Sequence, residues 1–145
     1  MYRQHTEQQT ATRDKITTGC KFDERKAGVR YIEITRTRQH PLSPSMKLIN
    51  WYKNSKQGRE ERERYVKAFI KELQSDIDCK KYLEHLAQSK EDICLVCYER
   101  ERPYTFCHRH IIHKIIKLLR YGWEWKDIWE TIEILGAEAG YKEVK

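Results

Sequence analysis

Residues able to do chemistry crowd into one stretch, Asp92 to Ile116, which reads DICLVCYERERPYTFCHRHIIHKII and holds three of the five cysteines and three of the six histidines. Cys107-His108-Arg109 stands where a helical pattern begins. A thiol at a helix N-terminus meets unpaired backbone N–H groups and the positive end of the helix dipole, both of which favour the thiolate. Cys107 is therefore a candidate nucleophile, with His108 and Glu99 as candidate acid and base, since both titrate near neutral pH once perturbed. Arg109, Arg36 and Arg102, with Thr35, are candidates for holding a phosphate or carboxylate, which arginine grips bidentately. A thiol-phosphatase loop does not fit: neither Cys97 nor Cys107 is followed by arginine at the spacing that loop requires.

The same residues allow two other readings. Cys94-x2-Cys97-x9-Cys107-x2-His110 has the ligand types and spacing of a compact zinc site. Against it, residues three apart on an extended strand point to opposite faces, so Cys94 and Cys97 reach one metal only if the strand turns. The preferred expectation is therefore no cofactor, with zinc on Cys94, Cys97, Cys107 and His110 as the alternative. In the structural reading Cys107 and His108 merely begin a helix, Arg109 is a surface ion-pair partner, and Cys20, Cys79 and Cys94 are small buried hydrophobes.

Elements must hold these side chains in place. Ile93 to Tyr98 is a short apolar run, the pattern of a strand buried on both faces. Ile111, Ile115 and Leu118, with Ile112, Ile116 and Leu119 beside them, form the apolar stripe of a helix ending at Tyr121-Gly122. Val29 to Thr35 reads as a second strand, and Ile16 to Phe22 as an edge strand weakened by Gly19. Ser43 followed by Pro44 suggests a helix start, with Met46, Ile49 and Trp51 facing inward. Arg59 to Gln74 is a helix with Tyr65, Phe69 and Leu73 inward and Glu60/Arg64 and Glu63/Lys67 pairs outward. Lys80 to Gln88 and Glu124 to Leu135 complete the helices, the last bearing Trp125 and Trp129.

Strands alternating with helices imply an α/β fold: a small open sheet of parallel strands flanked by helices, Rossmann-like and three-layered. In such a sheet the loops after both strands share one edge. That places Thr35, Arg36, Arg38 and His40 beside Glu99, Arg100, Arg102, Cys107, His108 and Arg109.

At 145 residues the chain makes one domain. We expect a flexible arm over residues 1–15, a single α/β domain over 16–135 and a flexible tail over 136–145. A net charge of +7 favours an anionic partner, whether nucleotide, phosphate or nucleic acid. No stretch approaches a membrane span, and an odd cysteine count without a dense framework suits a reducing, cytoplasmic setting. Exposure of Trp125 and Trp129 would point to a homodimer instead of internal docking.

Leu95-Val96-Cys97-Tyr98-Glu99, a proline-containing loop and then Cys107-His108-Arg109 resemble the pattern of domain-of-unknown-function family four-eight-eight (DUF488, the YeaO-like proteins). Ile34-Thr35-Arg36, Pro41-Leu42-Ser43-Pro44-Ser45 and Leu48-Ile49-Asn50-Trp51-Tyr52-Lys53 are similar to that family's first strand exit and first helix. Tyr65 and Leu73 fit its next helix. The resemblance covers roughly Val29 to Leu119 and implies the fold and the site, not a reaction. It also implies an aliphatic residue where Cys94 stands, which suits a packing role for that thiol.

Overall fold

A computed structural model describes residues 15–35, 40–98 and 106–138. Three strands, β1 (Ile16–Cys20), β2 (Val29–Glu33) and β3 (Asp92–Cys97), form an open parallel sheet in the order β1-β3-β2. Among the described residues five α-helices accompany it: α1 (Met46–Lys53), α2 (Arg59–Gln74), α3 (Ile77–Gln88), α4 (His108–Arg120) and α5 (Trp125–Leu135). The α/β fold with parallel strands is thus present, and β3 is its centre.

That position explains the uninterrupted apolar run of β3, because a strand paired on both sides and covered on both faces has no solvent side to mark with polar residues. Ile93 and Leu95 are wholly buried and join Ile32 in one cluster with residues of all five helices, among them Leu48, Phe69, Leu83, Ile111 and Ile128. Cys94 and Val96 point the other way. There β1 and β2 flank β3 while running parallel to each other, so the connection 21–28 has to cross β3 to reach the start of β2. Lys21 and Arg25 from this connection pair with Glu33, the register partner of Val96. Gly28, at φ 81°, makes the turn into β2, a left-handed conformation that side chains with a Cβ resist.

Local chemistry corrects several boundaries. Ser45, not Ser43, caps α1, accepting from Leu48 N, because the Ser43 hydroxyl is taken up by the carbonyls of Ile34 and Thr35. Met46 consequently sits at the first helical position and is 53% exposed, while Leu48 and Ile49 carry the burial. On α2 Glu63 pairs with Arg59 rather than Lys67, and Arg64 lies over the Trp51 ring, 4.9 Å from its centroid. Asp76 caps α3, accepting from Asp78 N, and starts it at Ile77, three residues before the expected Lys80. Trp125 and Trp129 stack at 4.9 Å and pack against the core, with Trp125 Nε1 donating to Glu84 Oε2 at 2.7 Å. Gly136–Glu138, expected in the tail, form a 3-10 turn against α2, where Arg62 Nε donates to the Ala137 carbonyl at 3.2 Å. No helix among the described residues is long and apolar enough to cross a membrane.

Candidate functional site

The carboxyl ends of parallel strands collect whatever follows them, and here they collect sulfur. Cys20 is the last residue of β1 and Cys97 the last of β3, and the two are register partners. Cys107 stands as the N-cap of α4 in an extended conformation, and its side chain makes no capping hydrogen bond. Its Sγ is directed elsewhere: it lies 3.7 Å from His108 Nδ1. The ligating atoms of Cys97, Cys107 and His108 all lie within 4.8 Å of one another, and all three residues are buried. Among the described residues this is the one group of three or more such side chains that converges closely enough to hold a metal ion.

His108 is oriented from three sides. Its Nε2 is 2.5 Å from the Ile34 carbonyl, just beyond β2. A carbonyl oxygen only accepts, so Nε2 carries the proton, and in the neutral ring Nδ1 presents its lone pair to Cys107. Phe69 meets the imidazole edge-on at 6.1 Å and 87°. Ser43 donates to the same Ile34 oxygen at 2.8 Å and fixes its direction. Phe106, the residue before Cys107, is seated by Tyr52 and Tyr65, with ring centroids 5.3 and 5.2 Å away. The thiol is thus delivered by a short aromatic anchor on one side and a helix start on the other.

Electrostatics separates the two thiols. Cys97 is held well above the usual thiol range, first by its hydrogen bond with Cys107 and then by burial. It therefore keeps its proton and donates toward Cys107 sulfur, which favours negative charge there. Burial lowers the pKa of His40, and repulsion from His108, when that ring is protonated as well, lowers it further. The Cys20 thiol donates to the Tyr98 carbonyl at 3.3 Å.

The site expected from sequence is only partly the group assembled here. Cys107 and His108 come together, with Cys97 as their third member. The Cys94, Cys97, Cys107, His110 tetrad does not assemble: Cys94 points to the opposite face of β3, and His108 takes the place given to His110. Arg109 is wholly buried, neither a surface ion-pair partner nor a solvent-facing clamp, and its Nη1 donates to the Gly19 carbonyl of β1 at 3.2 Å. Thr35 is likewise buried, its carbonyl held by Ser43. Arg36, Arg38, Glu99 and Arg102 lie outside the described residues. Sequence reasoning missed the Ile34 carbonyl, which has no side-chain signature, and misassigned Ser43, whose cap pattern concealed a loop-closing role.

A family model described as the active DUF488-N3 subclade matches residues 3–119. The chain belongs to the DUF488 family. The match takes in the whole sheet, the Cys97-Cys107-His108 group and nearly all of α4, so the site is built within the DUF488 part of the chain. Helix α5 with its stacked tryptophans lies beyond it. No curated protein and no solved structure matches this DUF488 chain.

Proposed function

We propose that this DUF488 protein binds an anionic ligand, a nucleotide, phosphate ester or nucleic-acid end, at the carboxyl edge of its sheet. It acts on that ligand through Cys107, as a hydrolase or transferase. The observation that carries this reading is the alignment Cys107 Sγ, His108 Nδ1, His108 Nε2, Ile34 O, with separations of 3.7 and 2.5 Å at its two contacts. It has the layout of an activated nucleophile: a base beside the thiol, and a third group fixing the tautomer of the base. Its position beyond the ends of parallel strands is where open α/β sheets bind ligands. The description of the matching subclade as active agrees with a catalytic role, and the charge of +7 suits an anionic ligand.

In this reading His108 Nδ1 takes the Cys107 proton and the thiolate attacks the electrophilic centre, forming a bond through sulfur. The leaving group departs with the proton from His108. Water, or an acceptor hydroxyl in a transferase, then gives its proton to His108 and releases the second product, and the proton returns to sulfur. Cys97 steadies the thiolate by its S–H. With Arg109 engaged on Gly19, the ligand's charge falls to Arg36 and Arg102, and general acid assistance to Glu99.

The test is alkylation of the folded, reduced protein with iodoacetamide across pH, with peptide mapping of each cysteine. Cys107 is expected to react at neutral pH at least about tenfold faster than Cys79, and His108→Ala to move its pH profile toward that of an ordinary thiol near pH 8.5. Phosphate or nucleotides are expected to raise the melting temperature and slow the labelling. A Cys107 no faster than Cys79, with a profile indifferent to His108→Ala, would overturn the proposal.

A further inference from the structure

We infer that Cys97, Cys107 and His108 form a three-ligand site for a thiophilic divalent cation, zinc by preference, with its fourth position open to water or an anion. This does not rest on Cys107 being a nucleophile. The two uses of that sulfur exclude each other, so metal occupancy silences the thiol and removal of the metal restores it.

Geometry decides in favour of a preformed site. Zinc–sulfur and zinc–nitrogen bonds of about 2.3 and 2.0–2.1 Å at the tetrahedral angle put the two ligand atoms about 3.6 Å apart. Cys107 Sγ and His108 Nδ1 are separated by 3.7 Å, and one ligating atom from each of Cys97, Cys107 and His108 lies within 4.8 Å of the others. A single ion can therefore join the three with movements of a few tenths of an ångström to about one. The donor set is right in kind as well: two thiolates and an imidazole suit zinc and exclude the hard cations that want oxygen. The surroundings are those of a ligating histidine. Such a residue almost always gives its other ring N–H to a carbonyl, a carboxylate or water, and His108 gives Nε2–H to Ile34. Ser43 in turn holds that carbonyl, and Phe69 braces the ring.

The three ligands are carried on rigid supports, the last residue of β3 and the first turn of α4, so little ordering remains for the ion to bring about. They differ from the set that spacing suggests. Cys94 belongs to the face crossed by residues 21–28, and His110 sits two residues further along α4 than His108.

The experiment titrates the reduced, metal-stripped full chain with cobalt(II), followed by zinc(II) in competition. One cobalt per chain is expected, with thiolate-to-cobalt charge-transfer absorption and the intense visible bands of a tetrahedral ion, both lost on adding zinc. Cys97→Ser, Cys107→Ser and His108→Gln are each expected to weaken zinc binding by at least about a hundredfold, and Ser43→Ala by about tenfold. Cys94→Ser and His110→Gln are expected to leave it within twofold. Should a variant fail to fold, the wild-type chain still decides: one equivalent of zinc has to protect Cys97 and Cys107 from alkylation while Cys79 labels as before. Cobalt bound without charge-transfer absorption, or Cys94→Ser weakening binding as much as Cys107→Ser, overturns the inference. A chain that binds no metal yet has a fast Cys107 refutes this site and leaves the proposed chemistry standing. Metal binding with a sluggish Cys107 in the metal-free chain does the reverse.

Discussion

Helix α4 ties down both ends of the sheet with an arginine, and the two ends are built for different purposes. At the amino end Arg120 Nη2 donates to the carbonyls of Leu86, Ser89 and Glu91, and Arg30 pairs with Glu91 at 3.3 Å. These groups are exposed or half-buried and close the loop into β3. At the carboxyl end Arg109 donates to Gly19 from full burial, and it follows His108, a member of the buried cluster, in the first turn of α4. The same chemistry, a guanidinium on a backbone carbonyl, is an open clasp at one end and a buried tie at the other, where it holds the start of α4 to β1. Burial is what separates the two, because only the second arginine makes its bond away from water.

The largest expected effect tests that buried tie. Arg109→Ala should destabilise the protein by about 3 kcal/mol, the scale for truncating a fully buried large side chain, and by loosening the start of α4 should raise the alkylation of Cys97. A variant melting like wild type would show that the tie does not hold α4 to the sheet. Arg120→Ala should cost less, about 1–2 kcal/mol for lost hydrogen bonds from a charged group, and leave thiol labelling unchanged. If it altered labelling, the two ends would not be independent.

A pH series separates them further. Cys97 is raised above the thiol range, and burial followed by hydrogen bonding to Asp76 pushes Cys79 up to about 12. Raised thiols contribute stability that is intact below the unfolded-state pKa near 9 and is lost as pH rises toward the folded value. The melting temperature should therefore fall progressively above pH 9. His40 has a lowered pKa, so the folded state resists its protonation, and stability should also decline as pH falls below the ordinary histidine value of 6.5. A flat profile over both windows would contradict these assignments. The smallest effect belongs to Gly19→Ala. Its Cβ would meet Cys94 Sγ at 3.2 Å, a contact the thiol relieves with a slight shift, so a cost of no more than about 1 kcal/mol is expected, with Cys107 reactivity untouched.

What the sequence made legible follows from which groups leave a side-chain trace. The apolar run of β3, the stripes of α2 and α4 and the Cys107 helix start are periodic or compositional signals, and each was readable. Parallel pairing of β2 with β3 followed from the helices between them. The central place of β3 did not, because strand order depends on how the 21–28 connection crosses the sheet, and no residue pattern announces it. His108 was readable as the partner of Cys107, whereas the zinc alternative took His110. Ligand spacing treats the two histidines as equivalent, and only the Ile34 carbonyl, a backbone atom from a strand exit some seventy residues earlier, selects the first. Ser43 and Ser45 both offer a cap, and the choice was made by the carbonyls that Ser43 could reach.

The insertion of β3 between β1 and β2 also sets when this molecule can become competent. Ile16 pairs with Ile93 and Val29 with Asp92, so both ladders join residues more than sixty positions apart. Contacts of such separation form late, since the loop entropy has to be met before any pairing rewards it. As the chain leaves the ribosome, two of the three strands wait for the third, and Cys20 waits with them, open to solvent and oxidant. The site cannot be half made: strand exit, strand end and helix start reach one another only when the last of the sheet closes. For the growing chain, Cys20 and Cys97 are buried only once the site beside them has been completed.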